Sequence, residues 1–218
     1  MIFFCDQSIT LAKHIALARR FGPINVNRFF TPLAGHPEIN ELRKEPDQKK
    51  NIGKVWHTDH SFDAIPELGS TLVAWDVLEQ GGDTMFASMY AAYDALSDGM
   101  KRTLAGLRAV HSSRHVFGAE ARYHGADLED RLHTPDSATQ DTVHPVVIRH
   151  PDTGRPALSA NANFTLGMEG WTREESEGLL GFLYRHGQRP EFTCRFRWRR
   201  GPIALWDNRN TWHFAIND

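Results

Sequence analysis

A histidine and a carboxylate two residues apart, completed by one distant histidine, can hold a divalent transition metal on one face and leave three positions open. Three His-x-acid steps occur here: His36-Pro-Glu38, His57-Thr-Asp59 and His150-Pro-Asp152. With 12 histidines and 27 acidic residues in a chain of 218, roughly 1.5 such steps arise by chance, so spacing alone decides nothing. The first and third carry a central proline and read as turns. His57-Thr-Asp59 follows the strand-like Val55-Trp56, and strand alternation would place both side chains on one face. The distal partner stays open between His111, His144, His186 and His213, since a lone histidine is more often an ordinary core or surface residue. His213 stands out by following an apolar strand and a polar Asp207-Asn-Arg-Asn210 turn, a sheet-edge setting.

The elements that must position these residues are short. Residues 1–4 read as a strand, and residues 11–21 as an amphipathic helix opened by Ser8-Ile-Thr10 and ended by Gly22-Pro23. Residues 39–43 are strand-like; residues 70–78 are apolar enough for a buried strand. Gly81-Gly-Asp83 turns into a strand over 84–87. Two short helices fill 90–107, the second capped by Ser97. Residues 107–111 and 143–149 read as strands, and a turn at 150–154 folds the chain back into 157–159. Thr172-Arg-Glu-Glu175 fits a capping box, opening a helix to about His186 with Leu179, Leu180 and Leu183 inward. Residues 192–198 alternate, and 202–206 form a last apolar strand. Many strands and few helices, without regular alternation of the two, predict a mostly β fold, a sandwich with flanking helices. The polar, aperiodic segment 119–142 reads as a lid.

Bulk properties narrow the partners. The formal net charge of −2, with both signs spread along the chain, gives no case for nucleic acid or an anionic membrane surface. No apolar run approaches the roughly 20 residues of a membrane span. The N-terminal run has neither cationic front nor cleavage site, so a cytoplasmic location is expected. Cys5 and Cys194 read as free thiols without zinc-site spacing. Length and composition suit a single domain over 1–218. Both ends are abrupt, and the chain reads as truncated at each. The oligomeric state stays open, a homo-oligomer included.

Beyond spacing, the chain resembles the taurine dioxygenase/aryloxyalkanoate dioxygenase (TauD/TfdA) family. The matching stretches run in family order: Arg20-Phe-Gly22, Trp56-His-Thr-Asp59 with Phe62, Gly81-Gly-Asp-Thr84, Tyr93-Asp-Ala-Leu-Ser97, Gly106-Leu-Arg108, His144-Pro-Val-Val147, His150-Pro with Gly154, and Trp206-Asp-Asn-Arg209 with His213. The resemblance implies a distorted double-stranded β-helix, or jelly roll. It implies His57, Asp59 and His213 as ligands of Fe(II), and Thr84 as a hydrogen-bond partner of a 2-oxoglutarate carboxylate. It implies oxidative decarboxylation of 2-oxoglutarate to succinate and carbon dioxide, with O2 hydroxylating a small anionic substrate. Two arginines that follow the distal histidine in the family would fall beyond Asp218.

The resemblance is least informative about the substrate. Where taurine enzymes place a histidine, a tyrosine and an asparagine, this chain aligns Asn27, Phe30 and Gly53, which disfavours taurine. Phe117 and Phe164 match aromatic pocket positions, and His60 follows the iron motif on the substrate side. A larger, partly apolar acid is expected: an alkyl sulfate, a sulfonate or an aryloxyalkanoate. Two rivals remain, a cupin-type jelly-roll metalloenzyme that works without 2-oxoglutarate and a non-catalytic binding module.

Overall fold

The computed structural model describes residues 1–45, 48, 51–77, 79–118, 128, 131–132 and 139–216. Its described strands are β1 (Ile2–Phe4), β2 (Pro32–Leu33), β3 (His36–Asn40), β4 (Gly69–Val73), β5 (Thr84–Ser88), β6 (Arg108–Ser112), β7 (Asp141–Pro145), β8 (Val147–Arg149), β9 (Pro156–Leu158), β10 (Thr165–Met168), β11 (Thr193–Phe196), β12 (Ile203–Asp207) and β13 (Thr211–Ala215). The helices are α1 (Leu11–Arg19), α2 (Met89–Asp94), α3 (Asp98–Leu104), α4 (Arg114–Phe117) and α5 (Arg173–Gly187). The fold is mostly β, as the strand-rich pattern predicts. No helix among the described residues is long and apolar enough to cross a membrane. The expected lid lies largely outside the described residues; at its far end, Asp141 and Thr142 belong to β7.

Three antiparallel sheets carry the architecture, in the orders β1-β12-β4, β11-β5-β13 and β10-β6-β7, with two-stranded ribbons β2-β3 and β8-β9. The turn at 208–210 is the key connection, because it moves the chain from β12 in the first sheet to β13 in the second. A site built on both strands is therefore fixed to two sheets at once.

Several local expectations are met by their caps. Thr172 caps α5 with a reciprocal Glu175 capping box, Ser97 caps α3 and Thr10 caps α1. Others are corrected. His36-Pro-Glu38 is not a turn but the start of β3, in a two-stranded ribbon where a missing proline N–H is tolerated. Val55-Trp56 is not a strand; only a single bridge forms there, at His57. The strand expected over 70–78 ends at Val73, and that over 143–149 is broken by Val146 into β7 and β8. Strands β10 and β13 are missed by the sequence pattern; at 4 and 5 residues their alternation is too short to stand out.

The main core packs α2, α3 and α5 on the sheet strands through Met89, Leu104, Leu180, Leu183 and Trp212. Helix α5 ends against β13 with little room. A Cβ on Gly187 would sit 2.6 Å from Cζ3 of Trp212, which is 1% exposed. Since Trp212 precedes His213, this close approach helps set the height of β13. Gly187→Ala should therefore cost about 1–3 kcal/mol by overpacking, read as a lowered Tm. An unchanged Tm would mean that Trp212 moves freely.

Candidate metal centre

The centre is built on backbone pairing. His57 N donates to the His213 carbonyl at 3.1 Å and His213 N donates to the His57 carbonyl at 2.7 Å. This reciprocal bridge lays the 57–59 segment along the free side of β13, whose other side pairs with β5. The two imidazole rings face each other with centroids 4.0 Å apart. Asp59 Oδ1 lies 3.6 Å from His57 Nε2 and 3.5 Å from His213 Nε2. One donor atom from each residue thus falls within 4.8 Å of the others.

The protonation states suit a cation. His57 Nδ1 donates to the Val55 carbonyl at 2.7 Å, which leaves the Nε2 lone pair facing inward. Burial drives His213 down to about 3 and lowers His57 too, so both rings are neutral. Burial would raise Asp59, but the charge of either imidazole when it carries a proton, together with the Ser70 hydroxyl, outweighs it and keeps the carboxyl below its usual range. His57 Nε2, His213 Nε2 and Asp59 Oδ1 face a common point, where a cation would take a lone pair from each. This donor set fits Fe(II).

Thr84 lies on β5, directly opposite Ala215, while Phe86 lies opposite His213. Two-residue alternation puts Thr84 and His213 on the same sheet face, one step apart. The Trp198 indole N–H donates to Thr84 Oγ1 at 2.9 Å. Trp198 is buried, and its indole can only donate, so the threonine keeps its own proton for another acceptor.

Around this centre the other predicted residues fall into two groups. Phe164 sets its edge toward the His57 ring at 6.0 Å. It belongs to an apolar cluster with Phe29, Phe62, Val116 and Phe117, against which Phe30 packs. Asn27 and His60 form the second, polar group. Asn27 Oδ1 accepts from the backbone N–H of Phe29 and Phe30, which turns its amide nitrogen toward His60 Nε2 at 2.9 Å. On the other side His60 Nδ1 meets Asp63 Oδ2 at 2.8 Å, and Glu67 lies 3.4 Å from Nε2. Both candidate polar residues are thus already hydrogen-bonded to protein. His60 holds a left-handed backbone, φ 53°, unusual for a residue with a side chain.

The other histidines weighed for the site serve elsewhere. His186 pairs with the Ala92 carbonyl, His144 with the Asp63 carbonyl and His150 with Asp207. His111 Nδ1 meets the hydroxyl of Ser61, which also accepts from Asn161. Sequence reasoning misses Ser70, Asn208 and Trp198. The nearest signals are a serine at the head of an otherwise apolar strand and the Trp-Asp-Asn triplet, neither of which carries a role on its own.

Similarity to known proteins gives the family. The chain belongs to the taurine catabolism dioxygenase TauD, TfdA family, whose model matches residues 1–216. It is 36% identical over 173 residues to an alkylsulfatase of Acinetobacter baylyi, covering 78% of this chain and 54% of that protein. It is 33% identical over 232 residues to a (S)-phenoxypropionate/alpha-ketoglutarate-dioxygenase of Sphingobium herbicidovorans, covering 99% of this chain and 76% of the relative. A solved taurine dioxygenase from Burkholderia xenovorans superposes with a TM-score of 0.79 at 33% identity, covering 99% of this chain and 69% of that one. The chain spans little more than half the length of several curated relatives it matches.

Glu67 allows a test of the polar group. Burial raises it to about 7 from 4.5, against the opposing pull of His60. The folded state thus binds this proton more tightly than the unfolded chain, so stability falls as pH rises from about 4.5 through 7. Glu67→Gln removes the charge, and its Tm relative to the parent should climb through that window and level off above it. A difference that does not vary with pH would show that Glu67 titrates alike in the folded and unfolded chain.

Proposed function

We propose that this chain is the catalytic core of an Fe(II)- and 2-oxoglutarate-dependent dioxygenase that hydroxylates a small organic acid, with succinate and carbon dioxide as co-products. The observation that carries the reading is the convergence of His57 Nε2, Asp59 Oδ1 and His213 Nε2 on one point. His57, Asp59 and His213 would hold the iron, and the Thr84 hydroxyl would donate to a carboxylate of 2-oxoglutarate. The strands would form a distorted double-stranded β-helix, a reading supported by three antiparallel sheets joined at the β12–β13 turn.

When bound, iron with 2-oxoglutarate and O2 supplies the oxidising chemistry. The residues of this chain do the rest. Val55 and the backbone bridge orient the histidines, and Phe62 and Phe164 keep water from one side of the centre. For the substrate, an alkyl sulfate, a sulfonate or an aryloxyalkanoate fits best. Support comes from the aromatic cluster beside His57 and from relatives named for sulfate esters and phenoxypropionate. Phe30, Phe117 and Phe164 would meet its apolar part, with Asn27 and His60 at the polar margin.

Anaerobic addition of 2-oxoglutarate to the iron-loaded protein should raise a weak visible charge-transfer band, and His57→Ala should abolish it. Succinate release would then score a panel of sulfates, sulfonates and aryloxy acids. Iron binding without any response to 2-oxoglutarate would favour a cupin-type enzyme, and no iron binding a non-catalytic module. Thr84→Ala should weaken 2-oxoglutarate binding roughly tenfold or more, the scale of a hydrogen bond to a charged group. Unchanged affinity would remove Thr84 from the site.

A further inference from the structure

Asp59 has a second oxygen, and the structure gives it a use. Asp59 Oδ2 accepts from Ser70 Oγ at 2.6 Å. Ser70 Oγ in turn lies 3.0 Å from Asn208 Nδ2, and Asn208 Oδ1 lies 2.9 Å from Trp206 Nε1. Chemistry fixes the direction of every link. An indole N–H can only donate, so the Asn208 oxygen must face Trp206 and its amide nitrogen must face Ser70. Ser70 Oγ is then an acceptor from Asn208, which leaves its proton for Asp59. A carboxylate can only accept, so the chain ends there.

The fold holds each member in place. Ser70 on β4 and Trp206 on β12 are directly paired across the first sheet. The strands approach closely at this point: a Cβ on Gly69 would lie 2.5 Å from the Trp206 carbonyl. The Asn208 carbonyl accepts from Thr58 Oγ1 at 2.5 Å, tying the turn to the residue between His57 and Asp59. Trp206 also packs on the His213 ring, with centroids 5.0 Å apart. Trp206, Asn208 and Thr211 are all buried.

We propose that Trp206, Asn208 and Ser70 form a one-way hydrogen-bond chain that engages Oδ2 of Asp59, so that the carboxylate offers the metal Oδ1 alone. This rests on the proposed iron site and assigns these three as positioning residues. The reason to need them is arithmetic. Three protein donors would leave half of an octahedral ion's positions for the cosubstrate and oxygen. A carboxylate free to swing its second oxygen inward would take one of these. The hydroxyl of Ser70 holds that oxygen outside.

Co(II) alone, titrated into the full chain, reads both affinity and coordination number through its visible bands. In the parent, His57→Ala should abolish the bands and 2-oxoglutarate should perturb them. Ser70→Ala should weaken Co(II) roughly 10- to 100-fold, the range for partners that orient metal ligands. It should also shift the bands and blunt the response to 2-oxoglutarate, while Ser70→Thr restores all three. Asn208→Asp keeps the acceptor facing Trp206 and removes the donor facing Ser70. It should weaken Co(II) in the parent and have no further effect in Ser70→Ala, because the two act in series. Unchanged affinity and bands in Ser70→Ala, or independent additive losses in the pair, would overturn the proposal. Should Ser70→Ala not fold, Asn208→Asp decides on the same bands: a shift supports the chain and unaltered bands reject it. Parent bands indifferent to His57→Ala would instead sink the iron site itself, and this inference with it.

Discussion

The two backbone hydrogen bonds between His57 and His213 are the constraint on which the rest of the site depends. They join segments far apart in sequence, so the donor set does not exist until the sheets have closed. The entropy of closing so long a loop must be offset by the cores on either side, because one bridge contributes only about 1 kcal/mol per bond. The Trp212 packing on Gly187 and the Trp206 packing on His213 therefore bear on chemistry as well as stability. They hold β13 where its histidine can meet a ring it does not neighbour in sequence.

The legible and illegible parts of the sequence divide along a physical line. Helix caps are legible at Thr10, Ser97 and Thr172, because capping is local and uses fixed offsets. The overall strand richness is legible for the same reason. At the centre, His57 and Asp59 share a motif, but periodicity alone cannot separate His213 from His111, His144 or His186; the family resemblance does. Ser70 is illegible because its role depends on cross-strand register. Only the pairing of Ser70 with Trp206 brings its hydroxyl between Asp59 and Asn208. The misreading of His36-Pro-Glu38 is of the opposite kind, a turn propensity overridden by pairing in an edge ribbon.

The surroundings of the centre are of two types. Toward β4 and the β12–β13 turn lie hydrogen-bonded polar residues with fixed donor directions. Toward α4 lies an aromatic cluster: Phe62 and Phe164 meet edge to face at 4.8 Å, and Phe29 stacks on Phe117 at 4.4 Å. Polar networks of this kind resist small displacements, because each shift breaks a directional bond inside a medium of low dielectric. Aromatic side chains can rotate or slide at lower cost. A rigid side suits orientation of a metal ligand, and an adaptable side suits reception of a ligand that varies in shape.

This division bears on how a substrate could be recognised. By position His60 is the natural residue to greet an anion, but its ring is enclosed by Asn27, Asp63 and Glu67, and Asp63 also pairs with Arg28. Both ring nitrogens already have protein partners, so an incoming anionic group would have to displace Asn27, Asp63 or Glu67 to reach the imidazole. On the proposed reading, recognition in this part of the chain falls to apolar contact with Phe30, Phe117 and Phe164 rather than to charge. A short, strongly charged acid gains little from such a surface. An acid with an alkyl or aryl body would gain about 25 cal/mol for each Å² it removes from water, which is the physical side of the substrate classes proposed for this chain.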